Sequence, residues 1–350
     1  PQPFQAGDAS LRTMVQTLLA LSLALLNAPV LAQTARADVR IGGSSTIFPI
    51  MQQAVAAFRR DNPNNQTRIE LKESGTSAGL RQFCKGQLTL ANASRPINSQ
   101  ELELCARNGV RFVELPIAFD AVTVVVNPAN TAVRHISIKQ LNVIWDRKAQ
   151  GRVLSWDQID PSWPQKPLKL CGPGADSGTF DYFNKAVNGD SANSRTDYTA
   201  SEDDAVLVRC VSNDVNALGY FGYAYYASNP KTLKALWVLG GKGLVAPSLR
   251  SVQSGTYVPL SRPLFIYGNA RMISSEPRAR RFLTFTLQNG LQLVRTAGYI
   301  PLPSSTYRLV EAKVYRQVLG SAFNGELTPG LSLSVALQRS LEQIKKPLFR

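Results

Sequence analysis

Three times along this chain a short strand-like run ends in glycines and hydroxyl residues and passes at once into a helical pattern. Gly42-Gly43-Ser44-Ser45-Thr46 precedes a predicted helix over 49–60, Ser74-Gly75-Thr76-Ser77 one over 78–85, and Asp176-Ser177-Gly178-Thr179 one over 179–187. Strands that alternate with helices argue for α/β layers rather than a sandwich or a bundle. A helix N-terminus carries unpaired N–H groups and about half a positive charge, and glycine lets another backbone or a ligand come close. At a single junction Ser and Thr need be no more than N-caps. Three junctions of one composition point instead to convergence on a shared anion, because the four oxygens of a tetrahedral oxyanion call for several donors each.

The rest of the pattern fits the same class. Strands are predicted over 39–43, 68–73, 168–171 and 218–222, with an extended segment over 257–267. The unbroken apolar run 121–127 is expected to be a buried parallel strand. Ser201-Glu202-Asp203-Asp204 supplies a cap and acidic first turn for a helix over 205–211, and a last helix is predicted over about 331–344. The aromatic cluster Tyr220, Phe221, Tyr223, Tyr225 and Tyr226 is read as core packing.

At the N-terminus, Arg12, an apolar run over 18–26 and the small-residue exits Val30-Leu31-Ala32 and Ala35-Arg36-Ala37 have the layout of a secretory signal peptide. Residues 1–37 are therefore expected to be a leader, cleaved after 32 or 37, with Met14 as the start. Asn27 and Pro29 interrupt the run too early for a membrane span, and no cysteine near either exit offers a lipid attachment point. An exported, unanchored product follows. The full sequence has 39 basic and 24 acidic residues and a net charge of +15, an excess that steers anions. No dense Lys/Arg run or basic-aromatic motif marks a nucleic-acid site, so a small anion is the expected partner.

Four cysteines, Cys84, Cys105, Cys171 and Cys210, contain no C-x-x-C pair and in an exported chain read as two disulfides. Three connectivities are open; the sequence-near pairs 84–105 and 171–210 are preferred because each closes a modest loop, worth about 3 to 4 kcal/mol of chain entropy. No H-E-x-x-H and no Walker A lysine motif is present, and neither metal nor cofactor is expected. Gly75-Thr76-Ser77-Ala78-Gly79 does match a nucleophile elbow, and Asp120 and the single histidine, His135, could formally complete a serine hydrolase. Too few strands precede the elbow, however, and the expectation is a binding protein rather than an enzyme.

Four segments, Gly43-Ser44-Ser45-Thr46-Ile47-Phe48-Pro49, Gly75-Thr76-Ser77-Ala78-Gly79, Asn92-Ala93-Ser94-Arg95-Pro96 and Gly172-Pro173-Gly174-Ala175-Asp176-Ser177-Gly178-Thr179-Phe180, resemble in the same order the periplasmic substrate-binding protein of the bacterial phosphate ABC importer, above all its cyanobacterial form. The likeness runs over about 38–302. It implies a two-lobed type II periplasmic-binding fold, each lobe a mixed sheet flanked by helices, that closes on inorganic phosphate in the interlobe cleft and delivers it to a membrane permease. Sulfate, tungstate or molybdate are the alternative ligands on the same fold. Position by position, Ser45 and Thr46 with the amide of Ile47 or Phe48, and Thr76 with Ser77, would meet the anion from one lobe, and Ser177, Gly178 and Thr179 from the other. The chain departs from the family's best-known pattern in its charges: Arg95 stands where that pattern has an acid, and Pro173 where it has an arginine. The resulting expectation is an exchange, with Arg95 on the anion oxygens and Asp176 accepting the phosphate proton. Lobe one is expected over 38–120 plus 264–322, lobe two over 121–263 and a helical tail over 323–350, with hinges near 119–123 and 258–266, in a monomer.

Overall fold

The computed structural model describes residues 37–345, so all of the expected leader but Ala37 lies outside the described residues. From the start run β1 (Val39–Gly43), α1 (Phe48–Asp61), β2 (Ile69–Leu71), α2 (Thr76–Cys84), β3 (Leu90–Ala93), α3 (Ser99–Arg107) and the long β4 (Phe112–Val126). Next come β5 (His135–Ser137), α4 (Ile138–Trp145), β6 (Lys169–Pro173), α5 (Gly178–Asn188), β7 (Thr199–Ser201), α6 (Asp204–Ser212), β8 (Ala217–Gly222), α7 (Tyr223–Ala227), β9 (Lys234–Ala235), β10 (Trp237–Gly240), β11 (Gly243–Val245) and α8 (Leu249–Gln253). The chain continues through β12 (Ser261–Asn269), α9 (Ala270–Ser275), α10 (Pro277–Gln288), α11 (Gly290–Thr296), β13 (Ile300–Pro301), α12 (Ser304–Tyr315) and α13 (Leu333–Lys345).

One curled sheet carries the molecule, in the order β2-β1-β3-β12-β4-β8-β6-β7. The pairs β1 with β2, β1 with β3, β6 with β7 and β6 with β8 are parallel, as strand-helix-strand crossovers require. These make two α/β lobes. They are joined through β4, whose first part, to Ala121, pairs with β12 and whose last part, from Val122, pairs with β8. All fifteen residues of β4 are buried. Both of those pairings are antiparallel, not parallel as its apolar run suggested. An unbroken apolar run reports burial on both faces; it does not report the direction of the neighbours.

The helices cover the sheet in the expected way. α1 starts with Pro49 in its first turn and buries Ile50, Met51, Ala54, Ala57 and Phe58 on one side, the spacing of a single helical face. Phe58 then meets Phe282 and Phe285 of α10 edge-on, each with ring centroids 5.3 Å apart. Disulfides join Cys84 to Cys105, tying α2 to α3, and Cys171 to Cys210, tying β6 to α6. After α12 the chain crosses the molecule: Gly320 N–H donates to Phe112 O at 2.9 Å, Phe323 packs on Phe265, and Gly330 N–H donates to the Tyr182 hydroxyl at 2.9 Å. No helix among the described residues is long and apolar enough to cross a membrane.

Candidate functional site

Glycines set how closely the three hydroxyl-rich junctions can approach. Gly43, at the end of β1, has φ +122, and a Cβ there would fall 2.2 Å from Asn92 O. A Cβ on Gly178 would lie 2.5 Å from Thr76 Oγ1 and 2.7 Å from Ser94 Oγ. The start of α5 in one lobe therefore sits directly on the start of α2 in the other, and only glycine leaves room.

Around that contact the hydroxyls of both lobes interlock. Thr46 Oγ1, ahead of α1, lies 3.3 Å from Thr179 Oγ1 on α5. Thr76 Oγ1 accepts from Ser94 N–H at 3.1 Å and lies 3.2 Å from Ser94 Oγ. Ser45 Oγ donates to Asp204 Oδ2 at 3.0 Å across the cleft. Ser177 caps α5, its Oγ accepting from Thr179 N–H at 3.1 Å, and Ser77 N–H donates to Asp176 O at 2.8 Å from lobe to lobe. Ser45, Thr46, Thr76, Ser177 and Thr179 are all buried, and the Ile47 side chain is in the core.

At the centre stands Arg262, on β12, directly opposite Asp120 in the register of β4. Both are on the strands that join the lobes and both are buried. Arg262 Nε and Nη2 reach Asp120 Oδ2 at 3.2 and 2.9 Å. Its Nη2 also donates to Thr46 Oγ1 at 3.2 Å and Thr179 Oγ1 at 3.0 Å, and its Nη1 to Ser94 O at 3.3 Å. The Tyr182 ring lies below its guanidinium, 5.9 Å from the centroid. One cation thus touches hydroxyls from both lobes and the loop after β3.

The acids around this centre are set by burial. It pushes the Asp204 carboxyl up to about 7, against the pull of the Ser45 hydrogen bond and of Arg262. Glu73, and Glu202 farther along the lobe contact beside Asp176, are also raised to about 7, mainly by burial. Burial also pushes Asp120 up, and the Arg262 charge opposes it.

Two residues expected at the anion are engaged elsewhere. Arg95 gives its guanidinium to Glu101, Asp181 and Ser77, and Asp176 is half-exposed and paired with Arg81 at 2.6 Å. No hydrogen bond joins either side chain to Thr46, Thr76 or Thr179 among the described residues. Ser77 Oγ sits in the Arg95 cluster, accepting from Nη2 at 2.8 Å. Of the expected pair, Arg95 thus meets the hydroxyl of Ser77 and Asp176 meets Arg81, while the charges bonded to Ser45, Thr46 and Thr179 are Asp204 and Arg262, with Asp120 behind Arg262. Arg262 was missed, although a lone arginine in the otherwise apolar run of β12 is a signal, as is Asp120 within β4. The structure also does not assemble a hydrolase triad. Asp120 is held by Arg262 and Tyr223 N–H, and His135 is exposed on a separate three-stranded sheet with β10 and β11.

Hydroxyls that interlock from two sides of a cleft belong to a protein that grips a solute between lobes, and the curled two-lobed sheet is that of the type II periplasmic binding proteins. The family described as PBP superfamily domain matches residues 29–289, and the chain belongs to it. Protein SphX of Synechocystis sp. is 42% identical over 321 residues, covering 92% of this chain and 95% of that protein. The phosphate-binding protein PstS of Staphylococcus haemolyticus is 33% identical over 269 residues, covering 76% of this chain and 81% of that one. The crystal structure of a possible phosphate binding protein from Planctomyces limnophilus aligns with a TM-score of 0.58 at 38% identity, covering 79% of this chain and 97% of that one.

Proposed function

We propose that this protein captures inorganic phosphate between its lobes and delivers it to the membrane permease of an ABC importer. The observation that carries the reading is Arg262, a buried cation with one carboxylate partner whose Nη2 is also shared with hydroxyls of both lobes, while Nη1 goes to a backbone carbonyl. A phosphate entering between those hydroxyls would exchange weak contacts for charge-assisted hydrogen bonds. Its proposed contacts are Ser45, Thr46, the amide of Ile47, Thr76, Ser177, Gly178, Thr179 and Arg262. Arg95, Asp176 and Ser77 lie outside that ring. The names of the PstS and Planctomyces relatives support phosphate as the ligand.

Discrimination would come from the carboxyls. Asp120, or Asp204 in its ionised form, can accept the proton of a protonated phosphate, whereas sulfate has none to offer near neutral pH. A buried acceptor left facing an oxyanion without a proton costs about 1 to 3 kcal/mol, enough to separate the two ligands. The lobes would divide at 38–120 plus 264–322 and 121–263, with the tail from 323. Hydroxyl contacts on both lobes would make ligand and closure mutually dependent. We place the protein in the periplasm after loss of its leader, unanchored and monomeric, binding and releasing without chemical change and without a cofactor.

Calorimetric titration of the ligand-stripped protein with phosphate and then sulfate at neutral pH tests the reading. The expected result is one-to-one phosphate binding, at a dissociation constant near 1 μM if about 8 kcal/mol is gained, with no response to sulfate. Binding of sulfate, tungstate or molybdate in place of phosphate would keep the fold and replace the ligand. Silence with every oxyanion would overturn the assignment.

A further inference from the structure

A second charged cluster ties the lobes together on the flank of the cleft. Arg95, in the loop after β3, donates from Nη1 and Nη2 to the two oxygens of Glu101, both at 2.8 Å, and from Nη1 to Pro96 O at 3.0 Å. Glu101 is itself held by the capping box of α3: Asn98 N–H donates to its Oε2, and its own N–H donates to Asn98 Oδ1, each at 2.9 Å. Every one of these bonds lies within one lobe. Nε of Arg95 instead crosses the cleft to Asp181 Oδ2 at 2.5 Å, where Ser77 Oγ also donates, at 3.4 Å. Asp181 stands in the first turn of α5, two residues beyond Thr179.

Parting the lobes would therefore remove a single member of the cluster. Arg95 would keep Glu101 and remain neutralised, and Asp181 would pass to water. An open groove of about 750 Å³, lined in part by Arg95, Asn98, Asp181, Lys185 and Glu326, already runs beside the pair. Closed and open forms thus differ here by the largely buried Arg95–Asp181 contact and a longer bond from Ser77 Oγ to the same Asp181 oxygen at 3.4 Å, and such a difference biases an equilibrium between two states. Because Asp181 and Thr179 share one helical turn, withdrawing one withdraws the other.

We propose that Arg95, Glu101 and Asp181 form an ionic catch on the closed cleft, with Asp181 a positioning residue that never touches the anion and sets how fast it leaves. The role rests on the phosphate reading for its ligand. Its geometry does not.

The test is Asp181→Asn in the otherwise intact protein, read by stopped-flow kinetics with inorganic phosphate and by solution X-ray scattering without it. The phosphate release rate is expected to rise about ten- to a hundredfold with the association rate unchanged, and the phosphate-free protein to scatter as a more open particle. Arg95→Lys, which keeps the charge but loses the fork that serves two carboxylates at once, is expected to move both readouts the same way and stands in should Asp181→Asn not fold. Unchanged release together with unchanged scattering overturns the catch. So does a fall in association rate alone, which would make Asp181 a steering charge. If the parent protein binds no phosphate, the functional reading fails and scattering alone judges the catch: opening of the variant supports it, and an identical profile overturns it.

Discussion

Arg262 and Arg95 are 0% and 2% exposed, and each bonds to groups of both lobes, yet their surroundings divide their roles. Arg95 faces two carboxylates, Glu101 and Asp181, so its charge is more than matched and its donors are spent on fixed partners. Arg262 has one direct carboxylate, Asp120, and its other donors go to hydroxyls and a carbonyl. Hydroxyls can turn and re-pair; carboxylates cannot surrender a buried cation cheaply. What suits an arginine to an incoming anion is therefore the charge left over after its fixed partners are counted. Burial alone does not distinguish the two.

The sharpest way to break this contrast is to remove each cation in turn. Arg262→Met is expected to weaken phosphate binding by a hundredfold or more, in line with about 2 to 5 kcal/mol for truncating one partner of a buried charge pair, and to lower folding stability by about 3 to 5 kcal/mol because Asp120 is left uncompensated. Adding Asp120→Asn should restore much of the stability and none of the binding. Arg95→Met orphans two acids and should cost at least as much stability with a smaller loss of affinity. Titration calorimetry and denaturant unfolding read both quantities, and a larger affinity loss at Arg95 than at Arg262 would reverse the assignment of roles.

Smaller changes sharpen the same point around Arg262. Thr179→Val keeps the shape of the side chain and removes the hydroxyl that Arg262 and Thr46 share, so affinity should fall about ten- to a hundredfold with little change in fold. Gly178→Ala leaves the helix competent but places a methyl 2.5 Å from Thr76 Oγ1. Overpacking of about 1 kcal/mol or more should then appear as roughly a tenfold loss of affinity and a more open particle in scattering. Full affinity in Gly178→Ala would mean that the two helix starts need not meet for binding.

These residues also mark where sequence reading succeeds and stops. The helices after Thr46, Gly75 and Ser177 were legible because glycines and hydroxyls punctuate each junction, and their hydroxyls do meet in the structure. The charges were read from their neighbours in sequence, which places Arg95 and Asp176 beside the hydroxyl motifs. Arg262 and Asp120 are 142 residues apart, and only the register of β12 on β4 brings them together. Glu101 joins a local capping box at the start of α3; that it also neutralises Arg95 depends on a tertiary contact. The direction of β4 was lost for a related reason, since apolar continuity records burial and no more.

The smallest predicted effect is one of pH, and its sign follows from three acids that burial raises, Asp204 beside Ser45, Glu73, and Glu202 beside Asp176. Asp204 keeps its proton in the folded protein up to about 7, whereas its ordinary value is 3.8. Glu73 and Glu202 rise from 4.5 to about 7. Between roughly pH 4 and 7 the folded state therefore holds more protons than the unfolded chain, and stability must fall as pH rises through that window. Below it, the carboxyls of Asp38, Asp146 and Asp197, which the fold holds under their ordinary value, work in the opposite sense. The melting temperature of the phosphate-free protein should thus be highest near pH 4 to 5 and decline by a few degrees toward pH 8. Asp204→Asn can still accept from Ser45 but has no proton to lose, so it should flatten much of that decline. An unchanged slope in that variant would move the proton-holding group away from the cleft, and with it the argument that the Arg262 side of the molecule is tuned to exchange a proton with its ligand while the Arg95 side is built to hold.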